Sequence, residues 1–214
     1  MIPRLHVVTD DDVLADARFP ATAAALARSL GPDLALHLRG HHTPAGRLHR
    51  LATDLEDAAE GTGAGLLLAD RVDVALATRG AGVRLGALSI PVAVARSLVG
   101  ARLLAASVHA VDEAVGAVAA GADFVVLGTI WPTASHPGRD GAGTALIRAV
   151  AARVDAPVVA IGGVTPARAA EALAAGAAGV AVVRGVWAAD DPLAAAAAFV
   201  AAMGAVPATG GSPR

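Results

Sequence analysis

Residues 157–187 read Pro-Val-Val-Ala-Ile-Gly-Gly-Val-Thr-Pro-Ala-Arg-Ala-Ala-Glu-Ala-Leu-Ala-Ala-Gly-Ala-Ala-Gly-Val-Ala-Val-Val-Arg-Gly-Val-Trp. Pro157–Ile161 and Gly179–Val182 are short apolar runs without alternation. A strand with one face in water alternates; a continuous apolar strand is covered on both faces, as in a parallel sheet under helices. Between the runs, Pro166–Ala175 carries Ala, Leu and Arg at helical spacing. Thr165-Pro166 sets a cap residue before a proline at the first helical position, and Gly176 ends the segment. The stretch is one β-α-β unit.

The unit recurs along the whole chain. Further strands are expected at Ile2–Val8, Leu34–Leu38, Gly65–Leu68, Gly82–Leu85, Arg102–Ala106 and Asp123–Leu127. Helices are expected at Pro20–Leu30, Pro44–Glu60, Arg71–Thr78, Val92–Leu98, Val111–Ala120, Thr144–Val154 and Pro192–Met203, the second one capped by Thr43-Pro44. Eight such units in 214 residues predict an α/β protein, a single-domain (β/α)8 TIM barrel over 1–206. An open doubly wound sheet is the competing arrangement. Residues 207–214, Pro-Ala-Thr-Gly-Gly-Ser-Pro-Arg, read as a frayed tail.

Composition narrows the chemistry. Ala supplies 57 residues and aromatics only 2%, so close packing of small side chains must build the core. There is no Cys, which excludes thiol nucleophiles, disulfides and cysteine metal sites. All 17 basic residues are Arg, which excludes a lysine Schiff base. There is no Tyr, so seven His, the carboxylates, Ser, Thr, Arg and the backbone remain. A net charge of −2 argues against a nucleic-acid surface. Mean hydropathy is +0.59, inflated by Ala. No apolar run reaches the ~18 residues of a membrane span, and no signal peptide is visible, so a cytoplasmic location is expected.

In such a barrel the chemistry sits where strands end. The residues there are Thr9–Asp12, Arg39–His42, Ala69–Arg71, Gly86–Ser89, Ser107–His109, Gly128–His136, Gly162–Thr165 and Val183–Gly185. Gly162-Gly163 and Val183-Arg184-Gly185, the latter before a helical turn at Val186–Ala188, stand where barrels bind phosphate on bare N–H groups. An ordinary tight turn is the plainer reading of the glycine pair.

The order of segments Thr9-Asp10, Leu36–Arg39, Asp70–Leu76, Gly82–Gly86, Ser107–His109, Gly121–Val125, Gly128–Gly138, Pro157–Gly163 and Gly179–Val183 resembles the thiamine phosphate synthase / thiazole tautomerase (TenI) family over nearly the whole chain. Asp70-Arg71-Val72-Asp73, Pro132-Thr133-Ala134-Ser135 and Ile161-Gly162-Gly163 are its most specific parts. The resemblance implies a (β/α)8 barrel and one of two activities. The synthase joins hydroxymethylpyrimidine pyrophosphate to thiazole phosphate with Mg2+, expelling pyrophosphate. The tautomerase moves a proton on the thiazole phosphate carboxylate without metal.

On the family's pattern, Thr133, Ser135, Gly162, Gly163 and the Val183-Arg184-Gly185 backbone hold the thiazole phosphate. The pyrophosphate half departs from the pattern. Gln-x-Arg-x-Lys becomes His37-Leu38-Arg39-Gly40-His41, and Asn-Asp becomes Ala69-Asp70. Gly-x-His-Leu-Gly-Gln-x-Asp becomes Gly82-Val83-Arg84-Leu85-Gly86-Ala87-Leu88-Ser89, so Ser89 replaces a metal carboxylate. A later Lys is His136, while Ser107 is kept. Asp70 is the metal ligand if the synthase reading holds; otherwise it caps a helix or pairs with Arg39 or Arg84. The tautomerase pattern also has a gap, because its proton-transfer His falls on Thr129, whose hydroxyl is too weak a base. His136, His37 and His41 are left as imidazoles that titrate near pH ~6.5.

These losses rank a metal-independent tautomerase-type isomerase first, with His136, His37 and Arg39 as its catalytic set and no cofactor. A Mg2+-dependent synthase is the alternative, and a non-catalytic phosphate-binding barrel the third. All three take a small thiazole phosphate; a homo-oligomer is left open. His109 reads as a helix cap or packing residue, His6 as an interior barrel residue, His42 and His49 as surface residues, and Thr9–Asp12 as a capped, solvated loop. Trp131 is either a stacking lid or a cover for the barrel edge.

Overall fold

The structure, a computed structural model, describes residues 2–133 and 140–204. Eight parallel strands close in sequence order: β1 (Leu5–Val8), β2 (Leu34–Leu38), β3 (Gly65–Ala69), β4 (Gly82–Leu85), β5 (Leu104–Val108), β6 (Phe124–Gly128), β7 (Val158–Ile161) and β8 (Gly179–Val182), with β8 pairing back to β1. The helices are α1 (Asp11–Ala15), α2 (Phe19–Leu30), α3 (Ala45–Ala58), α4 (Val72–Ala77), α5 (Val92–Val99), α6 (Val111–Ala119), α7 (Gly143–Ala151), α8 (Pro166–Ala174), α9 (Arg184–Trp187) and α10 (Pro192–Gly204). The chain is a (β/α)8 barrel, not an open sheet. Among the described residues, no helix is long and apolar enough to cross a membrane.

Two cores explain the continuous apolar strands. The outward residues of the barrel pack under the helices, with Leu26, Leu48, Ile147 and Val150 fully buried among them. The inward residues form a second, smaller core of Val8, Ala35, Leu67, Ala105, Phe124, Val126, Val159 and Ala181. The pairing register stacks these inward positions in layers of four from alternate strands. His6, Leu67, Ala105 and Val159 form one layer; His37, Arg84, Val126 and Ala181 the next; Val8, Ala69, Ser107 and Ile161 the third, nearest the strands' C-terminal ends. Ala69 and Ser107 are the small residues of the upper layer, alongside Val8 and Ile161. His37 and Arg84 sit directly beneath that layer.

Local details differ from expectation for identifiable reasons. Thr43 does not cap α3, which starts at Ala45 after Pro44; the Thr43 hydroxyl instead donates to Asp11 Oδ1 at 2.6 Å. Thr165 does cap α8, accepting from the Arg168 N–H at 3.3 Å. β5 begins at Leu104 rather than Arg102, whose guanidinium reaches back to the carbonyls of Ala75 and Thr78. The tail expected at 207–214 lies outside the described residues.

Candidate active site

The layer beneath the mouth is polar and sealed. His6 and His37 are both 0% exposed and joined Nδ1 to Nε2 at 2.8 Å. His6 Nε2 lies 2.9 Å from the Pro3 carbonyl, which can only accept, so the His6 proton is on Nε2. His6 Nδ1 is then an acceptor, and His37 must donate to it from Nε2. His37 Nδ1 is left as a bare lone pair, buried and without a partner. Burial, with the Arg84 charge adding to it, pulls the His6 imidazole down to about 4 against the Pro3 bond. Burial, then His6 and Arg84, hold His37 well below the usual imidazole range.

Arg84 shares the His37 layer and is 7% exposed. Its Nε is buried without a partner. Burial first, and the Arg39 charge second, lower its guanidinium to about 10, opposed by Asp70. It stays charged at neutral pH, since 10 lies three pH units above 7.

Above this layer the mouth is built by strand ends. Thr9 locks the end of β2: its Oγ1 accepts from the Arg39 N–H at 2.8 Å and donates to the Arg39 carbonyl at 3.0 Å. Asp11 accepts from the N–H groups of His41 (2.9 Å) and His42 (3.1 Å), so α1 carries the loop after β2. Asp10 caps α1 through the Val13 N–H at 2.9 Å. Asp70 takes φ 62°, a left-handed conformation that Asp tolerates, and turns its carboxylate to the loop after β4. There its Oδ1 accepts from the Gly86 N–H at 2.6 Å and from the Ser89 hydroxyl. Ser107 is half-buried on β5 in the upper layer.

On the opposite side, the loops after β6 and β7 are pressed together. The N–H of Trp131 donates to the Gly162 carbonyl at 3.1 Å. A Cβ on Gly163 would stand 2.5 Å from the Pro132 carbonyl oxygen, and one on Gly162 2.5 Å from Thr129 Cγ2. Both glycines have positive φ, 100° and 63°. Their presence is thus required by close approach as well as by conformation. Arg168 of α8 bonds the Gly163 carbonyl at 2.7 Å and lies over the Trp131 ring, 5.6 Å from its centroid. Trp131 therefore covers the barrel edge rather than standing free as a lid. Next to this loop, a Cβ on Gly185 would be 3.8 Å from the Val164 carbonyl, so the turns after β7 and β8 meet. The amides of Gly162, Gly163, Arg184 and Gly185 donate to no described residue.

The residues read from the sequence fall into three groups. Arg39, Asp70, Ser107, Thr133, Gly162, Gly163, Val183, Arg184 and Gly185 all stand at the C-terminal rim. Ser135 and His136 lie outside the described residues. His37 departs from expectation: an imidazole titrating near pH ~6.5 was expected, and burial removes that property. His109 does not cap α6, whose N-cap is Ala110; its backbone N–H donates to Glu113 at 2.8 Å. The link between His6 and His37 spans two strands and left no mark in local sequence. Arg84 carried one signal, a charged residue inside an apolar strand.

The family model described as Thiamine monophosphate synthase matches residues 5–186. The chain belongs to the thiamine monophosphate synthase family. It is similar to the thiamine-phosphate synthase of Chloroflexus aurantiacus, 40% identical over 199 residues, which covers 90% of this chain and 89% of the relative. A thiamine-phosphate synthase of Salinispora arenicola is 41% identical over 207 residues, covering 94% and 97%. The solved thiamine phosphate pyrophosphorylase from Pyrococcus furiosus superposes with a TM-score of 0.83 at 30% identity, over 95% of this chain and 96% of that one. As a member of the thiamine monophosphate synthase family the chain is an enzyme.

Proposed function

We propose that this enzyme is a thiamine phosphate synthase, coupling hydroxymethylpyrimidine pyrophosphate with thiazole phosphate and releasing pyrophosphate. This reverses the order in which the sequence ranks the two activities. The observation that carries the reading is the placement of two guanidiniums, Arg39 at the C-terminal end of β2 and Arg84 on β4 in the layer beneath the mouth. Negative charge develops on the departing pyrophosphate, and fixed cations aimed at it lower that barrier. A tautomerase has no such requirement; it needs an imidazole in the mouth. Among the described residues the tautomerase position is Thr129, and His37 is sealed below. The likeness to proteins named thiamine-phosphate synthase over nearly their full length supports the same choice.

The thiazole phosphate is held by the amides of Gly162, Gly163, Arg184 and Gly185, with the Thr133 side chain beside them. Ser107 and Arg39 face the pyrophosphate end. Asp70 is the residue to hold Mg2+. Its Oδ1 is taken by Gly86 and Ser89, and no group of three or more His, Cys, Asp or Glu that could hold a metal occurs among the described residues. Mg2+ often takes one or two carboxylates, with phosphate oxygens and water completing its shell, so one carboxylate fits a site shared with substrate. When bound, the ion adds positive charge to the pyrophosphate. Incubating the enzyme with both substrates and Mg2+ tests the reading: thiamine phosphate and pyrophosphate appear in equal amounts. Isomerisation of thiazole phosphate carboxylate without coupling would replace it with the tautomerase.

A further inference from the structure

Arg84 is the one charged side chain in the barrel's inner layers, and no described residue neutralises it by contact. It makes no hydrogen bond to a described residue, and its Nε–H is buried without an acceptor. The groups that face it do not help. His6 and His37 are locked neutral by their own bond and by burial. Arg39 is a like charge. Asp70 acts on it favourably but spends its Oδ1 on Gly86 and Ser89 and stands exposed at the rim. The remaining members of its layer, Val126 and Ala181, and of the layer above, Val8, Ala69 and Ile161, are apolar, and Ser107 offers one hydroxyl.

A buried guanidinium without a counter-charge costs stability. An apolar side chain of similar length would fill the same space without that cost. The charge is useful only when something anionic enters from the mouth, where a planar guanidinium can take two oxygens at once. We infer that Arg84 is a diphosphate-binding residue, which holds the pyrophosphate group of the pyrimidine substrate from beneath while Arg39 holds it from the rim. The ligand class rests on the synthase reading; the need for an anion rests on Arg84 itself. Arg84 thus supplies fixed charge at a mouth where a single carboxylate, Asp70, anchors the metal, and pyrophosphate binding persists without a divalent ion.

The test uses the full chain, inorganic pyrophosphate as probe, and calorimetry in EDTA and in Mg2+. The wild-type enzyme is expected to bind pyrophosphate in EDTA. Arg84→Gln is expected to lose at least tenfold in affinity there, while its melting temperature without ligand stays equal or rises. Arg84→Lys, which keeps the charge, is expected to retain more of the affinity than Arg84→Gln. The inference is overturned if the wild type does not bind in EDTA, if Arg84→Gln binds as well as wild type, or if Arg84→Gln melts 5 °C or more lower, which would mark the arginine as structural. Product assays separate the two readings. Arg84-dependent pyrophosphate binding with no thiamine phosphate formed defeats the synthase reading alone. Coupling that is equally fast in Arg84→Gln defeats the inference alone.

Discussion

Replacing Gly163 by Ala tests whether the pressed pair of loops is what sets the thiazole-phosphate side of the mouth. The φ of 63° at Gly163 costs an L-residue about 1–2 kcal/mol. The new Cβ would also stand 2.5 Å from the Pro132 oxygen, 2.9 Å from Trp131 Cβ and 2.9 Å from the Trp131 oxygen. Two of those three atoms are backbone, so the loop itself must move, and overpacking of this kind costs roughly 1–3 kcal/mol more. The sum is about 2–5 kcal/mol. For a chain of this size each kcal/mol moves the melting temperature by about 2–4 °C, so a fall of roughly 4–20 °C is expected. Gly61 is the matched control: its φ is 73°, but nothing lies within 4 Å of an added Cβ. Gly61→Ala should cost only the conformational part, about 1–2 kcal/mol. Thermal melts of both variants, with thiazole phosphate titrated into each, give the comparison. The displaced Trp131–Thr133 segment should weaken thiazole phosphate binding in Gly163→Ala and leave it unchanged in Gly61→Ala. Equal melting temperatures for the two variants would refute the reasoning.

Acid should destabilise the fold through the buried imidazoles. His6 titrates at about 4 in the folded chain against 6.5 unfolded, so the unfolded state binds the extra proton as pH falls below ~6.5. Stability present above that pH is lost progressively toward pH 4, by about 3 kcal/mol for His6. Urea unfolding at pH 7.5 and pH 5 checks this, and His6→Gln should flatten the difference. Asp11→Ala removes the acceptor that holds the amides of residues 41 and 42, so hydrogen exchange there should accelerate and stability fall by about 1–2 kcal/mol. Ser89→Asp places a second carboxylate beside Asp70, and calorimetry should then find at least tenfold tighter Mg2+ binding in the presence of pyrophosphate.

Much of the barrel could be read from residue order because parallel strands announce themselves. β2, β4 and β8 have the expected limits, since Gly, Pro or Arg punctuates each apolar run. β5 starts at Leu104, two residues beyond the expected limit: Leu103 extends the apolar run backward, while Arg102 is turned to the carbonyls of Ala75 and Thr78. α1 was read as a capped loop: the Asp10 cap was visible, but a helix of five residues is too short to show periodicity. The site divides in the same way. Rim residues follow from where strands end, so Arg39, Asp70 and Gly162-Gly163 were legible. What lies one layer down depends on register across strands. Val8 pairs with His37, and the alternate strands β2 and β4 put His37 and Arg84 in one layer, a fact no local window contains. That register, which the order of residues alone does not reveal, seals the His37 imidazole below the mouth and sets the Arg84 charge beside it.

Coupling of the two substrates is the activity that separates a synthase from a tautomerase. Its most direct test is a quench-and-separate assay of the purified chain with hydroxymethylpyrimidine pyrophosphate, thiazole phosphate and Mg2+, quantifying thiamine phosphate and released pyrophosphate. Both products are expected in a one-to-one ratio. No coupling, in a preparation that binds thiazole phosphate and isomerises its carboxylate, would contradict it.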